Sequence, residues 1–371
     1  MTLTGSVDQV EPTSAKAVQK SVDALKLEEF VGRFASDLGA VLHAATVLIG
    51  DQLGLYRAMA DGRWVRPEEL AEATGTHQRY VSEWLAAQAA SGYAVYDAET
   101  SRFRLTPEQA FALTSEGNFL SVLGGLQLAA ATIADIDLIV NAFRTGFGVG
   151  WGEHDPDLVE GTLRFFRSTY ATNLVQGWIP ALDGMEAKLR GGARVADLGC
   201  GCGATTILMA RAYPESSFIG FDYHAGSIAR ARQDAATAGV EDRCCFEVAT
   251  GKDFPGRDYD LVTMFDALHD VGDPTGVAAH VLDALAPRGI WMIVEPFAHD
   301  RLEDNLNVIG RIFYSGSTTI CLPLSRSQEV DAGLGAQAGE ARLRQVVTAG
   351  GFRNFRGVAE TAFNLVFEAR P

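Results

Sequence analysis

The spacing of apolar residues sets out an architecture before any motif is read. Over residues 28–60, Phe30, Phe34, Leu38, Val41, Leu42 and Ala45 recur three or four positions apart, which predicts a long helix. Pro67 opens a short acidic helix stopped at Gly75, and Thr76 is placed to cap a second helix running from Gln78 to about Ala90. Residues 93–96 and 102–105 alternate around a turn at 97–101, the pattern of a hairpin. Helix, turn, helix and hairpin is the winged-helix order. Residues 115–190 return to helical spacing and are interrupted by a glycine-rich loop at 146–152.

From Arg194 the pattern changes. Apolar runs at 194–198, 217–221, 244–249, 260–265 and 290–295 read as buried strands with helices between them. Two more runs, 354–359 and 364–369, have no helix between them and predict an antiparallel hairpin at the sheet edge. Strands alternating with helices argue for an α/β fold with a doubly wound parallel sheet, here of seven strands. The chain divides on this reading into an arm at 1–25, a winged-helix and pairing domain at 26–114, a helical lid region at 115–190 and an α/β domain at 191–371.

Composition narrows the classes. Among 371 residues, 31 Lys and Arg face 47 Asp and Glu, a formal net charge of −16, which argues against broad binding to nucleic acid or anionic membranes. The first residues carry Asp8 and Glu11 without an apolar core, so no signal peptide is expected. The apolar window 121–143 is broken by Gln127, Asp135 and Asp137 and reads as a buried helix pair, not a membrane span. Five cysteines (200, 202, 244, 245, 321) have neither disulfide nor metal-ligand spacing, so reduced thiols, a cytoplasmic setting and no metal are expected.

The chemistry concentrates in Val195-Ala-Asp-Leu-Gly199-Cys200-Gly201-Cys202-Gly203-Ala204, between a strand and a helix. Such a loop lets backbone approach a ligand closely. Gly199, Gly201 and Ala204 also satisfy the dinucleotide pattern G-x-G-x-x-A, so NAD is one reading. Against it stand Asp197, two residues before the first glycine, the third glycine at 203, and the antiparallel edge hairpin.

With its acid and three glycines, the loop resembles the first motif of class I S-adenosylmethionine (SAM) methyltransferases. Four further segments resemble that family in order: Asp222, 23 residues past Gly199; Thr250-Gly-Lys-Asp253-Phe254; the strand ending Phe265-Asp266; and Ala349-Gly-Gly-Phe352 before the hairpin. The resemblance implies SAM as cofactor and S-adenosylhomocysteine as product. Asp222 would stand on the ribose, Thr250, Asp253 and Phe254 around the adenine, and Phe265 and Asp266 by the methionine. Asp197, Gly199, Cys200, Gly201 and Tyr223 would complete the cofactor site.

Phe265-Asp-Ala-Leu-His269-Asp270-Val271 is similar to the His-Asp segment of small-molecule O-methyltransferases, with Val271 where those enzymes carry Trp. The similarity implies His269 as general base. Asp270 and Asp273 either orient the loop or cap the helix from Pro274, and the cap is the preferred reading. A carbon or nitrogen acceptor stays open, because histidines occur here in those enzymes too. Phe166 and Tyr170, with Asn305, Phe313 and Tyr314, are the candidate walls for a small, largely apolar or aromatic acceptor. His154 follows the glycine-rich loop and is expected at the surface, within reach of a pocket.

A winged helix also raises a small-molecule-sensing DNA regulator. Residues 62–112 hold five arginines against seven acids, a net of −2, and the second helix offers only Arg79 against Glu83. A recognition helix needs more phosphate-neutralising side chains than that. In the resembled family this domain pairs two chains, and the apolar residues 30–60 suit such an interface, so a homodimer is expected.

Overall fold

The computed structural model describes residues 22–114 and 123–371, so most of the arm expected at 1–25 lies outside the described residues. The described residues form two compact units: 22–55 with 64–104, and 56–63 with 105–114 and 123–371.

In the first unit a helix of 29 residues, Ala24–Gln52, is capped by Asp23, whose carboxylate accepts from the amides of Leu25 and Lys26. Its Thr46 carbonyl takes the indole N–H of Trp84 at 2.7 Å, and His43 meets the Gln88 side chain at 3.1 Å. The helices Pro67–Thr74 and Gln78–Ala90 are separated by Gly75 in the left-handed conformation. The second is capped by His77, not Thr76: the imidazole accepts from the Arg79 amide, while the Thr76 hydroxyl is spent on Thr74. Strands β1 (Val95–Asp97) and β2 (Arg102–Arg104) form the wing, with Val65 bridging to Phe103. Arg79 is ion-paired with Glu83 at 2.6 Å, so the second helix presents a neutralised pair where a DNA reader presents free cations.

Much of Ala24–Gln52 is bare. Phe30, Phe34, Leu38, Val41 and Leu42 are all about half exposed or more. Among the described residues it is the one single helix long and apolar enough to cross a membrane. The helices Leu123–Ala134 and Ile136–Thr145 reach that length only together, and they bend by 59°. The buried pair expected at 121–143 is only half realised: Leu123, Gly124 and Ala131 are buried, but Ile139 alone is buried in the second helix and Phe143 is 72% exposed.

The second unit is built on seven strands: β3 (Arg194–Leu198), β4 (Ser217–Asp222), β5 (Cys244–Val248), β6 (Tyr259–Phe265), β7 (Leu285–Pro296), β8 (Asn354–Glu360) and β9 (Asn364–Arg370). Their spatial order is β5-β4-β3-β6-β7-β9-β8, the first five parallel and β9 antiparallel to both neighbours. Alternate residues serve opposite faces. Val195, Leu261, Met292 and Val294 pack on one side with Trp178, Met209 and Ile228; Ala196, Val262, Trp291 and Ile293 pack on the other with Val281, Leu343 and Phe352. The strand order reverses between β3 and β6. Ligands in such sheets bind at that reversal, beyond the carboxyl ends of the strands.

Candidate active site

At the end of β3 the chain turns through Gly199, Gly201 and Gly203, all at positive φ (65°, 52° and 78°), a conformation costly for residues with a Cβ. A Cβ on Gly203 would strike the Phe246 ring at 2.6 Å. On Gly201 it would meet no protein atom within 4 Å. That open side is the room the loop leaves for a ligand.

Asp222, at the end of β4, accepts the Gly201 amide on Oδ2 (3.0 Å) and the His224 amide on Oδ1 (2.8 Å). Burial raises its carboxyl above the ordinary range against those two amide bonds. The pocket above the loop is lined by Gly199, Cys200, Gly201, Asp222, Tyr223, Thr250, Phe265 and Asp266 from the expected cofactor set, and by Phe166 and Tyr170 from the expected acceptor wall. Phe166 stacks on Tyr170, 5.9 Å between ring centres. Among the described residues three carboxylates line the pocket (Asp222, Asp266 and Asp270) and no lysine or arginine does. A cofactor of net positive charge fits that field, and SAM sets a sulfonium and an ammonium against one carboxylate.

Several expected residues stand elsewhere. Asp197 is fully buried beneath the loop, its carboxylate taking the hydroxyls of Thr205 (2.8 Å), Thr206 (2.6 Å) and Thr263 (2.8 Å). Burial pushes its carboxyl up to about 6 despite those three bonds. Its contribution is to tie β3, β6 and the following helix together. Asp253 is exposed and accepts from the Thr250 amide and hydroxyl at 2.7 Å, which makes it a turn residue. Phe254 is core, packed between Phe221, Tyr259 and His280. Asn305 knots its own loop through His299 and Arg301, and Phe313 packs on Phe363; neither they nor the half-buried Tyr314 line the pocket.

His269 also lies behind the wall. It is 3% exposed, with Nδ1 at 2.6 Å from Glu295 Oε2 and Nε2 at 3.2 Å from Asp270 Oδ1. Burial alone would lower its pKa, but Asp270 and Glu295 outweigh burial and hold it well above the ordinary value. An imidazolium offers no lone pair, so in this arrangement the ring stands as a positive charge between two acids, behind the residues that line the pocket. Its neighbour Asp270 is the residue that reaches the pocket. As expected, Asp273 caps the next helix through the Gly276 amide at 2.8 Å. His154 is buried, not at the surface, and pairs through Nδ1 with Asp135 Oδ2 at 2.7 Å.

Sequence reasoning passed over Glu295 and Trp151, and Thr162, whose buried hydroxyl has no partner among the described residues while its residue lines the pocket. Only the apolar run of β7 ending at Glu295 held a signal: a lone acid closing a buried strand.

Residues 189–325 match a family model described as a methyltransferase domain, and residues 42–115 match an Rv2258c-like winged HTH domain. Over 141 residues the chain is 30% identical to 27-O-demethylrifamycin SV methyltransferase of Amycolatopsis mediterranei, covering 38% of this chain and 46% of that one. Over 114 residues it is 28% identical to trans-aconitate 2-methyltransferase of Deinococcus radiodurans, covering 31% and 42%. These matches span less than half the length of either relative. Two solved structures superpose over nearly the whole chain: mitomycin 7-O-methyltransferase (TM-score 0.68, 18% identity, 96% of this chain and 100% of that one) and human N-acetylserotonin methyltransferase in complex with SAM (0.66, 16%, 94% and 98%). At these identities the likeness speaks for the fold. Taken with the two matching domain models, it gives the chain a winged-helix domain followed by a methyltransferase domain, the arrangement that the resemblance in the sequence implies.

Proposed function

We propose that the protein transfers a methyl group from SAM to an oxygen of a small, uncharged, largely apolar or aromatic molecule. The observation that carries this is the pocket itself. Asp222 and the glycine loop furnish one half of it, and Trp151, Val159, Leu163, Phe166 and Tyr170 furnish an apolar half with no cationic side chain. An acceptor bearing carboxylates would be repelled by Asp266 and Asp270, so the trans-aconitate of the Deinococcus relative is not the substrate expected here.

SAM supplies an activated methyl group for in-line displacement, and the chain's residues align the acceptor and exclude water. Asp222 would hold the ribose hydroxyls and the Gly201 backbone would lie against the cofactor. Tyr170 and Phe166 would press the acceptor against the end of β6. His269, with Glu295 behind it, would fix Asp270 on the wall. The same carboxylates would also suit an amine, which makes nitrogen transfer the second reading. The exposed apolar face of Ala24–Gln52 supports a homodimer, and five free cysteines support a reducing cytoplasmic setting.

Titration calorimetry with SAM, S-adenosylhomocysteine and NAD in parallel tests the cofactor. Micromolar binding of the first two without NAD is expected, and NAD binding alone would refute the reading. A panel of phenols and aryl amines then separates oxygen from nitrogen transfer.

A further inference from the structure

We propose that Asp266 is the group that accepts the acceptor's proton, and that it becomes a carboxylate when the positively charged methyl donor enters the pocket. The inference rests on the SAM reading above. Asp266 follows the last residue of β6 and lines the pocket beside Tyr170. It is held from three sides. Its amide donates to the Val294 carbonyl at 2.7 Å, its Oδ2 accepts the Tyr170 hydroxyl at 2.7 Å, and its Oδ1 accepts Asn364 Nδ2 at 2.8 Å. The backbone pays for this placement with a φ of +47°, unusual for a residue with a Cβ and typical of functional sites.

Both partners of the side chain are neutral, so nothing in direct contact supplies a compensating charge. The ionisable groups facing it are Tyr170 from the helix Pro156–Asn173, Glu295 from β7, and His269 and Asp270 from the turn after β6. Burial pushes the Asp266 carboxyl up to about 7; the Tyr170 hydroxyl bond opposes this, Glu295 adds to it, His269 opposes it and Asp270 adds to it. About half the molecules therefore hold a proton there at neutral pH. A cation arriving in the pocket favours the ionised form, and the proton leaves for solvent.

Asp266 is then a carboxylate beside the acceptor. The acceptor's oxygen bonds the methyl carbon as the carbon–sulfur bond breaks with its electron pair going to sulfur, and the hydroxyl proton passes to Asp266. The product has lost the sulfonium charge, so a protonated Asp266 is stable beside it.

Calorimetry of the whole protein in buffers of different ionisation enthalpy counts the protons. SAM should release about half a proton at pH 7, about 0.9 at pH 6 and about 0.1 at pH 8, with affinity rising about tenfold from pH 6 to 8. S-adenosylhomocysteine should release fewer. D266N should abolish the release, and D270N, which removes an acid that raises Asp266, should keep the release but move its profile to lower pH. Y170F removes a hydrogen bond from the ionised form and should move the release profile to higher pH, which gives a second readout if D266N fails to fold. SAM binding without proton release, or release that survives D266N or vanishes in D270N, overturns the proposal. Failure of SAM to bind at any pH would overturn the cofactor reading, and this inference with it.

Discussion

Gly201 and Gly203 lie two residues apart in one loop, yet alanine should do opposite things at the two positions. At Gly201 the added methyl meets no protein atom, so the free protein bears only the backbone cost of a Cβ at φ +52°. That is about 1 kcal/mol, a melting shift of roughly 2–4 °C in a domain of this size. The Gly201 amide is retained, so its bond to Asp222 survives. The methyl instead occupies room the cofactor would use, and SAM affinity should fall by about 100-fold or more, near 2.7 kcal/mol. At Gly203 the methyl lands 2.6 Å from the Phe246 ring and 3.0 Å from the Ala231 Cβ. Strain and overpacking together should destabilise the free protein by about 3 kcal/mol or more. Thermal melts with and without SAM, paired with calorimetry, read both effects. If G201A bound SAM as the wild type does, or melted as low as G203A, the loop would not be the cofactor's bed.

Other substitutions probe the remaining parts. H269A leaves the buried Glu295 without its counter-charge and should destabilise the fold by about 3–5 kcal/mol in denaturant melts; a base on the pocket wall would cost turnover and little stability. Asp197 titrates at about 6 in the folded state against 3.8 unfolded, so the native protein binds this proton more tightly and gains stability as pH falls from about 7 to 4. The gain is of order 3 kcal/mol, and the difference between wild type and D197N across that range should follow it; a difference flat with pH would refute the assignment. F34D, in the middle of the exposed face of Ala24–Gln52, should convert dimers to monomers in light scattering at micromolar concentration, and a wild type that is already monomeric there would remove the pairing role.

Where the pattern was one of local periodicity, the sequence was readable. Strand β3 runs over the five residues expected of it, and the others of its sheet differ at one end by a single residue apart from β7, whose earlier portion from Leu285 carries Pro287 and Gly289 and so hides its strand character. Asp222 and the three glycines were legible because positive φ and an acid at a strand end are demanded by few other arrangements. The role of Asp197 was not, since it depends on three threonines at positions 205, 206 and 263 converging on one carboxylate. The surroundings of His269 were hidden for a similar reason: the motif names the residue, but its partner Glu295 comes 26 positions later. Phe254 and Asp253 are adjacent in sequence, and one faces the core while the other faces solvent, an orientation set by how the turn after β5 closes.

The hydrogen bond between Asn364 and Asp266 spans 98 positions of chain. On a ribosome, β6 and its acid emerge long before the strand that steadies them, so the five parallel strands can assemble while Asp266 still lacks the partner of its Oδ1. A nascent protein of this kind would hold a nearly complete sheet with an unfinished centre, exposed to any chaperone or protease that meets it. Competence would arrive late and abruptly, with the insertion of a single antiparallel strand.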